Sequence, residues 1–134
     1  MSQRPFPAPV PSASGIILIV EDYQELRTLI GEILKEAGYR ISEASNGAEG
    51  LSRLREGDDI GLVITDLAMP GMDGHAFAEQ IRQGRPDIKI IFMSADPEPL
   101  LERIGDWGEG IGLLRKPFTD EQLIACVEDT LKPS

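Results

Sequence analysis

The sequence predicts an α/β fold in which helices cover both faces of one five-stranded parallel sheet. Three observations lead to this prediction: five short runs are largely apolar, helical patterns alternate with them, and most runs end in charged or turn-forming residues. Strands that are apolar throughout belong to parallel sheets, because both of their faces are buried. In such sheets, ligands bind beyond the carboxyl ends of the strands.

Each predicted strand is a short run bounded by turn residues or by charges. In chain order the runs are IILIV (16–20), RISEA (40–44), GLVIT (61–65), IKIIFM (88–93) and IGLL (111–114). The third run stops at Asp66, where a carboxylate closes an otherwise apolar strand, and Ser94 and Ala95 end the fourth. Polar groups therefore collect where the predicted strands end.

Each predicted helix follows from apolar residues at spacings of three and four. In chain order the first three helices cover 26–37, 48–56 and 74–83, a fourth is opened by Pro97 and Pro99, and the last covers 119–131. Asn46 and Gly47 form a turn before the second helix. The last helix opens on Thr119 with Gln122 three residues later, which is the spacing of a capping box. Its predicted buried residues are Leu123, Ile124, Val127 and Leu131.

Length and composition suit one acidic globular domain. The chain has 134 residues with an apolar content of 41%, and we expect residues 15–132 to form the domain. Residues 1–14, MSQRPFPAPVPSAS, predict a Pro-rich flexible tail. With 13 Lys and Arg against 23 Asp and Glu, the net charge is -10. This charge disfavours nucleic acid and anionic membranes and suits cations or a partner with a basic face.

The cysteine count and the lack of long apolar stretches bear on the cellular location of the protein. A single cysteine, Cys126, excludes an internal disulfide, and its place beside the apolar stripe of the last helix predicts a half-buried structural thiol. No apolar stretch approaches the roughly 20 residues that cross a membrane. The N-terminus lacks the apolar region of a signal peptide, so we expect a cytoplasmic location.

A parallel sheet would bring several polar side chains to one edge. These residues follow four of the predicted strands: Glu21 and Asp22 the first, Asp66 the third, Ser94 the fourth and Lys116 the fifth. Three close carboxylates repel one another unless a cation lies between them, and so few oxygen ligands suit Mg2+. The ammonium and hydroxyl groups can receive an anion. A metal, a nucleophilic carboxylate, a hydroxyl and an ammonium together indicate a phosphoryl-transfer site.

The motifs LIVEDYQ, VITDLAMPGMDG, FMSA and LLRKPF stand at four predicted strand ends. Through these motifs the chain, over about 16–131, resembles the receiver domain of the two-component response-regulator family. The resemblance implies the flavodoxin-like (βα)5 receiver fold, with Asp66 as the phosphoacceptor. It implies that Glu21 and Asp22 hold Mg2+ directly or through water, together with Asp66 and the backbone carbonyl of Ala68.

The resemblance also assigns roles to the remaining polar residues. Ser94 matches the switch hydroxyl, and Lys116 matches the lysine that contacts the phosphoryl group, followed by a bond to Pro117 that is typically cis. The family often has an aromatic residue three positions before that lysine, and this chain has Leu113 there. The usual aromatic switch is therefore not expected.

The implied partners are a histidine kinase or a histidine phosphotransfer protein and a downstream protein target, rather than an external metabolite. No helix-turn-helix pattern or basic patch follows Leu131, so we expect output through protein contact. A dimer that forms on phosphorylation is compatible with this function. The initial Met followed by a complete domain favours a free-standing regulator, whereas the Pro-rich tail and LLRKPFT suit the receiver portion of a hybrid sensor histidine kinase.

Two other classes share some of these features. An aspartyl-phosphate phosphatase of the haloacid-dehalogenase kind uses a similar nucleophile and Mg2+, but it carries a second acid where this chain has Ala68. A flavin-binding flavodoxin needs a phosphate loop after the first strand, and the acidic EDYQE would repel a bare phosphate.

Three further residues of functional types are expected to have structural roles. Asp73, in GMDG, is expected to be a turn or N-cap residue. The only histidine, His75, has no neighbouring metal ligand in the sequence and is expected to lie on the surface at the start of the third helix. Trp107 is expected to pack onto the fourth helix.

Overall fold

The computed structural model describes residues 15–56, 59–67, 74–96 and 110–132. Strands and helices alternate as far as the fourth strand, as predicted, and a fifth strand and a last helix follow. In order they are β1 (Ile16–Val20), α1 (Gln24–Glu36), β2 (Arg40–Ala44), α2 (Gly47–Glu56), β3 (Ile60–Asp66), α3 (Gly74–Gly84), β4 (Lys89–Ser94), β5 (Ile111–Arg115) and α4 (Asp120–Leu131). The predicted helix after Pro97 and the predicted tail lie outside the described residues.

The five strands form one sheet in the order β2-β1-β3-β4-β5, and every neighbouring pair is parallel. This confirms the predicted parallel sheet. Because the strands all run in one direction, their carboxyl ends share one edge of the sheet. The order reverses next to β1, since the chain first moves outward to β2 and then crosses back to β3. Crevices at such reversals are where ligands bind in open α/β sheets.

Helices cover both faces of the sheet, which explains why the strands are apolar on both sides. On one face, α2 and α3 pack over a cluster that includes Val63, Phe77 and Phe92. On the other face, α1 and α4 pack over a cluster that includes Ile30 and Val127. Each of these side chains is fully buried, which stabilises the fold by about 1.5–3 kcal/mol for each side chain. The rigid core holds the strand ends in place.

The helix ends agree with the sequence in one case and differ in another. The capping box of α4 is confirmed: Thr119 Oγ1 accepts a hydrogen bond from the Gln122 N–H at 3.0 Å, and Gln122 Oε1 accepts one from the Thr119 N–H at 2.9 Å. Gly47, predicted in a turn, is instead the first residue of α2. The Asn46 side chain accepts a hydrogen bond from the Glu49 N–H at 2.7 Å, so it caps the helix.

Two predictions of burial need correction. His75 does begin α3 as predicted, but it is only 8% exposed, so the prediction of a surface histidine was wrong. Gly74, Phe77 and Ala78 in the same first turn are also buried, so the whole start of α3 packs against the sheet. Ile124 of α4 is half-buried rather than buried, because it lies at the margin of the apolar face.

Candidate functional site

The register of β1 and β3 brings two carboxylates together. Val20 is paired with Thr65, so the residues that follow each of them, Glu21 and Asp66, emerge side by side at the carboxyl edge. Glu21 is 1% exposed and Asp66 is 8% exposed. Asp22 is exposed and lies on the solvent side of the same loop. The strand ends thus bring together the three acids that the sequence singled out.

The three acids form one cluster of oxygen ligands. Oxygen atoms from Glu21, Asp22 and Asp66, one from each residue, all lie within 4.8 Å of one another. Ligands of one octahedral Mg2+ stand about 3–4 Å apart, so a small adjustment of the side chains would let all three reach one ion. The donor set consists of hard carboxylate oxygens, which Mg2+ prefers. The residues present therefore fit the predicted metal.

Lys116 reaches this cluster from the end of β5. Its Nζ lies 3.2 Å from Oδ2 of Asp66 and 3.4 Å from Oε1 of Glu21. The side chain is 26% exposed, so water screens these ion pairs only in part. The bond from Lys116 to Pro117 is cis, as the family resemblance implied. One ammonium group thus partly neutralises two of the three carboxylates.

Ser94 lies at the same edge but bonds within its own loop. Met93 is paired with Asp66 in the sheet, so Ser94 is one residue beyond the partner of the candidate phosphoacceptor. Its half-buried hydroxyl oxygen accepts a hydrogen bond from the Asp96 N–H at 3.0 Å. Its carbonyl oxygen accepts one from the Lys116 N–H at 2.9 Å. The ends of β4 and β5 are therefore linked at the site.

The electrostatics of the cluster are clearest at Glu21. Burial raises the pKa of this carboxyl group above its ordinary value, and the nearby Asp66 charge raises it further. A hydrogen bond from the Tyr23 N–H and the positive charge of Lys116 lower the pKa, but they offset the rise only in part. The metal-free site therefore disfavours the negative charge of Glu21, which a cation would stabilise.

Two residues near the site escaped the sequence analysis. Gly74 packs directly on the backbone of β3: its N–H donates to the Leu67 carbonyl at 2.7 Å, and a Cβ atom there would collide with the Asp66 carbonyl oxygen. Arg27 donates a hydrogen bond to the Glu21 carbonyl oxygen at 2.7 Å. The sequence places Gly74 in GMDG and Arg27 one turn into α1. It does not predict either contact, because both partners are backbone carbonyl groups whose positions depend on the fold.

The remaining residues singled out in the sequence lie either outside the described residues or away from the acidic cluster. Ala68, Asp73 and Trp107 lie outside the described residues. Cys126 is half-buried, as predicted; burial raises the pKa of its thiol, and its Sγ lies 3.6 Å from the Leu113 carbonyl oxygen. Leu113 is half-buried against the cluster under α2 and α3.

These features define a class of protein: a doubly wound α/β domain with an acidic, lysine-neutralised site at the carboxyl edge of its sheet. A sequence profile of the family described as "Response regulator receiver domain" matches residues 17–128. The chain therefore belongs to the response regulator receiver domain family, which is a family of signalling domains. The family match confirms the resemblance inferred from the motifs.

Individual relatives include separate receivers and parts of larger proteins. The chain is 35% identical to the sensor kinase CckA of Brucella abortus, over 90% of this chain and 13% of the kinase. It is 33% identical to the response regulator receiver protein CpdR of the same organism, over 86% of this chain and 95% of CpdR. The chain thus spans almost all of one relative and about an eighth of the other.

A solved relative agrees with the fold. The response regulator TrrA of Thermotoga maritima, determined in complex with Mg(2+)-BeF, superimposes with a TM-score of 0.76 at 34% identity, covering 86% of this chain and 97% of TrrA. Among the described residues of this chain, none of the helices combines the length and the apolar character needed to cross a bilayer.

Proposed function

We propose that this domain accepts a phosphoryl group on Asp66, with Mg2+ bound beside it, and signals by changing its protein-binding surface. The observation that carries the proposal is the convergence on Asp66: its carboxylate lies in a cluster of three acids and 3.2 Å from the Lys116 ammonium group. Family membership supports the same assignment. The donors we propose are a histidine kinase or a histidine phosphotransfer protein.

The chemistry is a displacement at phosphorus. An oxygen of Asp66 attacks the phosphorus of a phosphohistidine, the O–P bond forms as the P–N bond breaks, and the electron pair of that bond stays on the imidazole nitrogen. Lys116 stabilises negative charge on the transferred oxygens. When bound, Mg2+ would be held by Glu21, Asp22, Asp66 and the Ala68 carbonyl, and it would neutralise further charge on those oxygens.

Ser94 is our candidate for the response to phosphorylation. An aspartyl phosphate carries more negative charge than a carboxylate, and it can accept a hydrogen bond from the Ser94 hydroxyl. The Ser94 oxygen already accepts from the Asp96 N–H, so its own hydrogen is still able to donate. A shift of Ser94 would move the loop after β4, and its link to Lys116 would carry the shift to β5.

The downstream step is proposed as contact with another protein, and a dimer formed on phosphorylation is one form such contact can take. A second candidate is the receiver portion of a hybrid sensor histidine kinase, which the likeness to a segment of CckA favours. The length of the native open reading frame distinguishes the two. The family match favours either reading over the phosphatase and flavin-binding alternatives. The cytoplasmic location stays a prediction.

Labelling with acetyl phosphate tests the proposal directly. We expect incubation with acetyl phosphate and Mg2+ to add about 80 Da to the intact mass, as one phosphoryl group does. The adduct should need Mg2+ and should be absent from Asp66→Asn, which keeps the size of the side chain but removes the nucleophile. An adduct that persists in Asp66→Asn would refute the assignment of Asp66.

A further inference from the structure

One arginine, Arg27, hydrogen-bonds to the backbone of the loop that carries Glu21 and Asp22. Arg27 lies in the first turns of α1, and its side chain is only 15% exposed. Its Nη1 donates a hydrogen bond to the Glu21 carbonyl oxygen at 2.7 Å, and its Nε donates one to Oε1 of Glu43 at 3.2 Å. The guanidinium group therefore connects the acidic loop to the neighbouring strand β2.

The carbonyl that Arg27 binds belongs to the peptide bond between the two acids. A peptide unit is planar, so a fixed Glu21 carbonyl also fixes the position of the Asp22 N–H and Cα. The Glu21 carboxylate has further support, because Oε2 accepts from the Tyr23 N–H at 3.0 Å and Oε1 lies near Lys116. Asp22 is exposed, and the direction of its side chain depends on this peptide plane.

Glu43 keeps the guanidinium group in the required orientation. Arginine donates through a rigid planar fork, so a carboxylate on Nε determines where Nη1 points. Glu43 is itself fixed in β2, where it pairs with Ile19 of β1. The orientation of the acidic loop thus follows from the sheet through Glu43 and Arg27.

We infer that Arg27, oriented by Glu43, is a positioning residue for the divalent cation: it sets the Glu21–Asp22 peptide so that both acids can share one Mg2+. The inference rests on the proposed function, since it concerns the same metal site. A positioning role and a purely electrostatic role of Arg27 predict opposite changes in Mg2+ affinity when the residue is removed. By charge alone, removal of a cation near three carboxylates should tighten Mg2+ binding. Loss of positioning should weaken it.

Calorimetric titration of the folded protein with Mg2+ measures this sign without any phosphorylation. We expect Arg27→Ala to raise the Kd for Mg2+ by about tenfold, the lower range for loss of a residue that orients a metal ligand. Arg27→Lys should give an intermediate Kd, because an ammonium group cannot reproduce both bonds of the planar fork. Glu43→Gln should also weaken binding, although the guanidinium group remains.

Arg53→Ala is the matched control. It removes the same charge and also breaks a hydrogen bond to Glu43, but Arg53 binds the Glu43 carbonyl and the Glu49 side chain rather than the acidic loop. We expect its Kd for Mg2+ to equal that of the wild type. Equal weakening in Arg53→Ala and Arg27→Ala would overturn the inference, as would unchanged or tighter binding in Arg27→Ala.

Two measurements keep the result unambiguous. Far-UV circular dichroism without Mg2+ reports whether each variant is folded. If Arg27→Ala does not fold, the Kd values of Arg27→Lys and Glu43→Gln test the inference instead. Wild-type affinity in both of these variants would overturn it. A wild-type protein that binds no Mg2+ would instead refute the metal site of the proposed function. Wild-type binding together with an unchanged Arg27→Ala would refute the positioning role alone.

Discussion

Lys116 Nζ lies 3.2 Å from Oδ2 of Asp66, although the two residues are 50 positions apart in the chain. The parallel sheet makes this contact: Asp66 ends β3, Lys116 follows β5, and β4 lies between them. The same ammonium group also reaches Glu21, so a single cation partly neutralises the two buried carboxylates. The two ion pairs thus link the ends of β1, β3 and β5 through one side chain.

Lys116→Met should separate the structural and chemical roles of this ammonium group. Without it, the carboxylates repel one another more strongly, and we expect the metal-free protein to lose about 1–2 kcal/mol of stability. Mg2+ should bind several-fold more tightly, because a competing cation is gone. Labelling by acetyl phosphate should nevertheless fall by about tenfold or more, because charge on the transferred oxygens is no longer stabilised. Thermal unfolding, calorimetric titration and intact mass measure the three effects.

Lys132→Met is the control for this prediction. It removes the same charge from an exposed lysine that pairs with Asp129 at the end of α4. We expect Mg2+ affinity and labelling to remain as in the wild type. If Lys116→Met were labelled as fast as Lys132→Met, the proposed role of Lys116 in phosphoryl transfer would be wrong.

The raised pKa of Glu21 predicts how stability varies with pH. A carboxyl group whose pKa is raised by folding stabilises the fold below its unfolded pKa, near 4.5, and that contribution is lost as the pH rises through the higher folded value. Glu21→Gln removes the penalty, so in EDTA the variant should melt at a higher temperature than the wild type near neutral pH. The difference should shrink below about pH 4.5.

In Mg2+, the wild type should melt at a higher temperature than Glu21→Gln, which is the reverse of the order in EDTA. Saturating Mg2+ is expected to raise the melting temperature of the wild type but to have little effect on Glu21→Gln, which has lost a ligand. Glu32→Gln, at an exposed position of α1, removes the same charge and should respond to Mg2+ like the wild type. A Glu21→Gln protein that is less stable than the wild type at neutral pH in EDTA would contradict this account.

Much of the fold and the site could be predicted from the sequence, for definite reasons. Strands that are apolar throughout must be covered on both faces, and this predicts a parallel sheet between two layers of helices. Glu21, Asp66 and Lys116 each come after a predicted strand, so they could be assigned to the carboxyl edge of that sheet. His75 could not be assigned in this way, because its burial depends on how α3 packs. The contacts of Arg27 and Gly74 depend on backbone carbonyl groups, whose directions no residue pattern reveals.

Leu113→Ala tests whether the residue in the aromatic position takes part in the chemistry. Leu113 pairs with Phe92 across the sheet and is half-buried, so truncation should cost about 1–2 kcal/mol of stability, less than for a fully buried leucine. We expect Mg2+-dependent labelling to remain largely intact, because the side chain packs beneath α2 and α3 rather than in the acidic cluster. Leu54→Ala, another half-buried leucine of that cluster, is the matched control. Loss of labelling in Leu113→Ala alone would show that Leu113 matters to phosphoryl transfer.

Gly74→Ala should disturb Asp66 through the backbone. The added Cβ would collide with the Asp66 carbonyl oxygen and would lie 2.8 Å from the Leu67 Cα, and no change of rotamer can relieve a contact with main-chain atoms. Either α3 or the end of β3 must shift, at an expected cost of about 1–3 kcal/mol. Because that shift moves the carboxylate relative to Glu21 and Lys116, labelling by acetyl phosphate should fall even at temperatures where the variant is fully folded.

Gly84→Ala, at the other end of the same helix, separates this effect from a general change in α3. A Cβ there would meet no atom within 4 Å, so the substitution should be neutral or slightly stabilising, since alanine restricts the unfolded chain and favours the helix. Its labelling rate should match that of the wild type. If Gly74→Ala were also labelled at the wild-type rate, the tight packing of α3 on β3 would not be what positions Asp66, and the rigidity of the site would have to come from the β1 and β4 neighbours of that strand.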